Sequence, residues 1–186
     1  MKSGHSSRGF TLLETLVAVV LIGIVALAAI PLLSSQNPTK LDVAAAEVGN
    51  ALRFASSEVE RIAGCAWVEG SNPGHLQVWS SAVCDKNNWG AVSDPLTKRA
   101  LVVDTSGPAF SGQVSMAVKF FVPGNSTAYT RLLIYGPGTQ LQVYDNVTPT
   151  PNFVGLLGPG SGVVLTLGPQ SVAVALNEIT WLVTLP

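Results

Sequence analysis

Glu14 stands at the mouth of an otherwise uncharged apolar run, for the chain reads LVAVVLIGIVALAAIPLL from Leu16 to Leu33. A charged group at a central position in hydrocarbon costs about 2.5–3.5 kcal/mol on insertion scales, so a carboxylate there is normally met by a cation. No basic residue lies between Phe10 and Leu33. A cut between Gly9 and Phe10 would create one, because the new α-amino group, charged below a pKa of about 8, emerges one helical turn from Glu14. That amine can meet Glu14 of its own chain or of an adjacent, axially displaced copy. In the second arrangement, neutralisation in a low dielectric rewards one stagger between packed helices over the others.

The remaining reactive inventory is thin. Cys65 and Cys84 are the only cysteines. Such a pair suits a disulfide in an oxidising compartment, and closing about 20 residues would contribute roughly 3 kcal/mol in the chain-entropy picture. Free buried thiols are the alternative. His75 lies between the two cysteines, but the spacing has no zinc-motif character and no fourth ligand is evident, so the expectation is no metal site. Beyond the first nine residues His75 is the sole histidine, and no G-x-S-x-G, H-E-x-x-H or G-x-x-x-x-G-K-[ST] pattern occurs. Asp94, Asp104 and Asp145 are scattered among turn residues. The expectation is a protein that is not an enzyme and carries no cofactor.

Composition bounds the elements that must position these groups. The 186 residues are 47% hydrophobic and 11% charged, with formal net charge −1, which fits one modest domain plus an apolar N-terminal segment. There is no global basic field to hold nucleic acid, and Lys98-Arg99, the only adjacent basic pair, reads as a solvated turn. Residues 10–33, if helical, reach roughly 36 Å, enough for a hydrocarbon core of about 30 Å. Lys2 and Arg8 precede this segment, so positive-inside logic leaves the N-terminus cytoplasmic and exports the rest. A plain anchor and a secretory signal cut after Ala28 are the competing readings. Neither explains Glu14.

The polar stretch Ser34-Ser35-Gln36-Asn37-Pro38-Thr39 predicts a break near Asn37, with a second helix starting afterwards at Thr39 and Asp42. Apolar residues then recur at Leu41, Ala45, Val48, Leu52, Ala55, Val59 and Ile62, widened by Ala44, Ala51 and Phe54. One-sided packing on a sheet explains this stripe more simply than a coiled-coil seam. Glu58 and Arg61 read as an i,i+3 pair on the polar face, and Gly64 as a C-terminal cap.

Strands are predicted at Ala66–Val68, His75–Trp79, Ala100–Val103, Val114–Val122, Arg131–Tyr135 and Leu141–Tyr144, the last two forming a hairpin around Gly136-Pro137-Gly138. "DNVTPTPNFVGLLGPGSG" reads as a crossing loop, followed by strands at Val163–Leu167, Val172–Leu176 and Ile179–Leu185. The two N-x-[ST] triplets at Asn125 and Asn146 read as loop signals. Residues 145–186 form an extension that either completes the sheet or builds a second small β-layer for contact with a partner.

The stretch "RGFTLLETLVAVVLIGIVALAAIP" resembles the class III leader of type IV prepilins and type II secretion pseudopilins. The resemblance implies that a prepilin peptidase cuts after Gly9 and that Phe10 is N-methylated. It also implies that Glu14 serves assembly, and that Gly23 and Pro31 weaken a helix that can melt in filaments. The helix "VGNALRFASSEVERIAG" resembles H-type pseudopilins (GspH) and FimT/FimU-type minor pilins, whose members sit at or near filament tips and help initiate assembly.

The Gly-Arg-x-Arg motif of DNA-binding relatives has no counterpart here, since the comparable hairpin reads "GPGTQLQ". Nucleic acid is therefore not an expected partner. The expected layout is a leader over 1–9, a transmembrane and filament-core helix over 10–33, its amphipathic continuation over 34–64, and a periplasmic β-rich head over 65–186. The fold class is α+β: a long hydrophobic N-terminal helix, then a second helix packed on an antiparallel sheet. The expected protein is a minor pilin or pseudopilin of a type IV pilus or type II secretion system. It is held in the inner membrane and partnered by the peptidase and other pilin subunits. The alternatives are a pilus-displayed binding module for DNA uptake or adhesion, with Trp67, Trp79, Trp89 and Trp181 as first ligand candidates, and an ordinary secreted or anchored β-domain.

Overall fold

The computed structural model describes residues 12–34, 36–72, 74–84, 88–95, 97–110, 112–136, 140–147 and 150–185, with side-chain surroundings for all of these except 26–38 and 71–72. They fall into two compact units, 1–37 and 38–186. In the first, α1 (Leu12–Ser34) is apolar all round, with Glu14 in its first turn, where a carboxylate complements the positive end of the helix dipole. The Thr15 hydroxyl donates to the Leu12 carbonyl at 2.9 Å. Every side chain from Leu12 to Val25 is exposed.

The second helix, α2 (Gln36–Ile62), begins before Pro38 rather than after it. Proline is tolerated in a first turn because its missing N–H would have had no partner there. Leu41, Ala44, Ala45, Val48, Ala51, Leu52, Ala55 and Val59 are all buried, so the periodic stripe is the face that enters the core. Small residues let the helix come close: a Cβ on Gly49 would lie 2.7 Å from Leu185 Cδ2. The Arg53 guanidinium donates to the Val183 carbonyl at 3.0 Å.

Glu58 corrects the expectation of a polar face. It is buried, and Arg61 bonds it at 2.5 and 2.7 Å. That hydrogen bond holds the Glu58 carboxyl below its ordinary range.

Among the described residues twelve strands follow, all paired antiparallel, and the chain has the α+β class read from its sequence. The first sheet runs β3 (Gly90–Ala91), β2 (His75–Ser81), β1 (Cys65–Asn72), β7 (Arg131–Tyr135), β8 (Gln140–Tyr144), β9 (Phe153–Leu156), with β4 (Val102–Asp104) also on β2. The second runs β12 (Val183–Thr184), β11 (Gln170–Leu176), β10 (Gly162–Leu167), β5 (Ser115–Val122), β6 (Asn125–Tyr129). One continuous core joins the buried face of α2 to alternate residues of both sheets, among them Val68, Val78, Leu132, Val143, Phe120, Val163 and Leu165.

Several expectations shift. The segment after Tyr144 is not only a crossing loop, since it contains β9, which pairs with β8. The last expected strand contracts to Val183–Thr184, and Asn125 lies in β6 rather than in a loop. The β7–β8 hairpin forms in the register Arg131↔Tyr144 to Tyr135↔Gln140, while Pro137 and Gly138 of its turn lie outside the described residues. The extension contributes strands to both sheets. β9 widens the first sheet, and β10 to β12 supply three of the five strands of the second, with Val163, Leu165, Val174 and Leu176 facing inward.

The end of α2 also differs. Ala63, not Gly64, takes the left-handed conformation with φ 50°, and the Gly64 N–H donates to the Val59 carbonyl at 3.3 Å, which is a Schellman closure. Gly64 is required for another reason, since a Cβ there would collide with the Ser81 carbonyl. A left-handed Ala costs roughly 1 kcal/mol relative to Gly, so Ala63→Gly is expected to raise the melting temperature by about 2–4 °C. Calorimetry of the two proteins checks this.

Candidate functional site

Of the residues assigned to processing and assembly, Gly9 and Phe10 lie outside the described residues. Glu14 is exposed in the first turn of α1, and the helix continues through Gly23 and Pro31. No neighbour would touch a Cβ on Gly23. α1 thus presents an uncovered apolar surface, and such surfaces mark contact with lipid or protein. Among the residues whose side chains are described, which end in α1 at Val25, no helix is long and apolar enough to cross a membrane.

A second site lies on the head. Strand alternation sends one side of the first sheet into the core and leaves the other outward. The outward side holds Trp67 opposite Trp79 and Leu133, and Glu69 opposite Arg131, which is itself opposite Tyr144. These residues, with Cys84, Trp89, Thr150, Pro151 and Asn152, line a concavity of about 560 Å³. Trp67 meets Trp89 at a centroid distance of 6.1 Å and Tyr144 at 5.1 Å, and Tyr144 meets Phe153 at 5.9 Å, all within the contact range of aromatic pairs. Burial pushes the Tyr144 phenol up.

Three devices fix this surface. The Cys65–Cys84 disulfide ties the segment leading to Trp89 to β1. It also engages both sulfurs, so neither is available as a thiolate ligand to join His75. Arg131 donates to Glu69 Oε1 through Nε at 2.8 Å and through its terminal nitrogen at 2.7 Å, and to the Val147 carbonyl at 2.9 Å. Asp145 closes the loop behind them: Oδ1 accepts the N–H groups of Val147 at 3.2 Å and Asn152 at 2.9 Å, and Oδ2 accepts the Asn152 amide at 3.0 Å. The Asn152 amide, then the backbone N–H groups, hold the Asp145 carboxyl below its ordinary range.

Of the four tryptophans, three meet at the concavity. Trp181 instead packs against the core with φ 60°. Sequence reasoning singles out none of Glu69, Arg131, Tyr144 and Asn152 as site residues, and reads Asp145 only as a scattered turn carboxylate. Only the i,i+2 spacing of Trp67 with Glu69, and of Arg131 with Leu133, signalled a shared face. Lys98 and Arg99 sit exposed in a turn closed by Lys98 N–H to Asp94 O at 2.9 Å and Asp94 N–H to Arg99 O at 2.8 Å.

Residues 4–30 match the prokaryotic N-terminal methylation motif. No curated protein and no solved structure gives a significant match. The matched stretch contains Gly9, Phe10 and Glu14 and ends before Pro31.

Two predictions follow from the head. Leaving either member of a buried ion pair alone costs about 3–5 kcal/mol, whereas replacing both by apolar groups is far milder. Arg131→Met should therefore destabilise strongly, and Glu69→Leu combined with Arg131→Met should recover most of the loss in denaturant titrations. A carboxyl with a depressed folded pKa stabilises above its unfolded value and loses that contribution as pH falls through the folded one. The stability gap between wild type and Asp145→Asn is thus expected to be full at neutral pH and to close below pH 3.8.

Proposed function

We propose that the chain is a minor pilin or pseudopilin, a structural and assembly-initiating subunit of a type IV pilus or type II secretion pseudopilus. The observation that carries this reading is the methylation motif over residues 4–30. It is supported by α1, whose described apolar side chains all stand exposed and require cover. Lipid supplies that cover before assembly and neighbouring subunits supply it afterwards.

In this reading the peptidase cuts between Gly9 and Phe10, Phe10 is methylated, and the new ammonium neutralises Glu14 of an adjacent copy. Residues 10–33 hold the subunit in the inner membrane with the head in the periplasm, residues 34–64 continue the helix, and 65–186 form the head. Gly23 and Pro31 are the points where α1 yields on packing, since glycine costs about 1 kcal/mol in a helix and proline removes a hydrogen bond. A second role, display of a binding surface, is favoured by the aromatic concavity.

Gly9→Val is expected to block cleavage. Glu14→Ala is expected to permit cleavage, leaving a methyl-phenylalanine terminus, while cutting recovery in sheared filaments by about tenfold, the equivalent of about 1.4 kcal/mol. Terminal sequencing and immunoblots of sheared fractions read both. Normal incorporation of both variants, or a native chain starting elsewhere than Phe10, sinks the reading.

A further inference from the structure

We infer that the concavity on the outward side of the first sheet is a binding site for a neutral oligosaccharide. The inference stands on the head alone and does not rest on the filament reading. Three tryptophans and a tyrosine that could have joined the core instead line about 560 Å³ of open space, a volume within the roughly 300–1,000 Å³ of small-ligand sites. Their shape and chemistry narrow the ligand.

Three of these four rings touch, with Trp67 5.1 Å from Tyr144 and 6.1 Å from Trp89. Their planes meet at 62° for Trp67 with Tyr144 and at 50° for Trp67 with Trp89, so the faces are splayed around direct contacts. A quaternary ammonium ion needs rings stood off on several sides of the cation, and here no such gap separates Trp67 from its neighbours. Splayed faces suit a ligand of several linked rings, each laying an apolar face on one of them.

Charge excludes a second class. Among the described residues Glu69 and Arg131 are the only charged ones in the lining, and they neutralise each other. Single-stranded nucleic acid also stacks on aromatic rings, but it needs a positive groove to follow its phosphates, and this guanidinium is committed to Glu69, the Val147 carbonyl and the Asp145 carbonyl. The ligand is neutral.

Hydrogen-bond polarity excludes a third. Both contacts of the Glu69 carboxylate fall on Oε1, and Asn152 uses its N–H groups toward Asp145. Among the described residues Glu69 Oε2 and Asn152 Oδ1 have no partner, so the lining includes acceptors beside the indole N–H donors of its tryptophans. A proline-rich peptide in a polyproline II conformation, which also favours aromatic grooves, presents carbonyl acceptors and few donors. A sugar presents C–H faces to the rings and hydroxyl donors to the acceptors. It matches both. The disulfide, the Glu69–Arg131 pair and the Asp145 loop hold the surface in place beforehand, which limits the ordering cost of binding.

The test uses the full chain in a detergent without a sugar headgroup. An array of neutral and acidic glycans comes first, followed by tryptophan-emission titrations with maltotriose, cellotriose and triacetylchitotriose. Oligo(dT) and a polyproline peptide are titrated alongside. At least one neutral glycan should bind saturably and without salt dependence. Trp89→Ala should weaken binding by about tenfold or more, as loss of one stacking ring does elsewhere, while Trp181→Phe should leave it unchanged, each with a wild-type unfolding transition. Should Trp89→Ala fail to fold, Asn152→Leu replaces it as the test of the rim acceptor. Absence of any neutral glycan ligand overturns the assignment. So does undiminished binding by the variant, or binding confined to acidic glycans, oligo(dT) or the polyproline peptide.

Discussion

The head is organised around the close approach of one helix to the strands beneath it. Ala44, Ala45, Ala51 and Ala55 are buried along α2, and Gly49 sits where a Cβ would press on Leu185. Larger side chains at these positions would hold the helix away and open voids that close-packed interiors do not tolerate. The approach also brings Arg53 to the Val183 carbonyl, so the last strand is tied to the helix by a charge-assisted bond as well as by packing. With the inward side of the first sheet committed to this core, its outward side is released from any packing duty.

That release is what the aromatic concavity exploits. Trp67 and Trp79 face each other across β1 and β2, and Glu69 faces Arg131 across β1 and β7. A strand pairing places such side chains within about 5.5 Å without help from loops, which makes the floor of the site as rigid as the sheet. Loops supply only the walls. One is tethered through Cys84 and the other through Asp145, so even these parts are held by specific bonds. The described side chains of α1, Leu12 to Val25, present the opposite kind of surface: exposed and apolar but for Glu14 and Thr15.

How far the sequence revealed this varied with the range of the interaction. The stripe of α2 was legible because a period between three and four survives in any helix that buries one face, and Arg131–Tyr135 was legible as an uninterrupted β-prone run. Burial of Glu58 was not, since its partner Arg61 satisfies it locally and a charged pair reads as surface. β9 was hidden among prolines and glycines because an edge strand needs only a few well-placed residues. The Glu69–Arg131 contact joins positions 62 apart in the chain, and no local pattern encodes that meeting. Tryptophan alone was a fair pointer to the cavity, but Trp181 has the same chemistry and went to the core, so residue type could not finish the assignment.

The chain enters each sheet twice. It lays down β1 to β4 in the first, β5 and β6 in the second, returns for β7 to β9, and finishes the second with β10 to β12. Neither sheet can close until residues near the C-terminus have arrived, and such distant pairings are slow to form. An incompletely synthesised copy would leave β5 with an open edge where β10 belongs, a template for aggregation and a target for proteases.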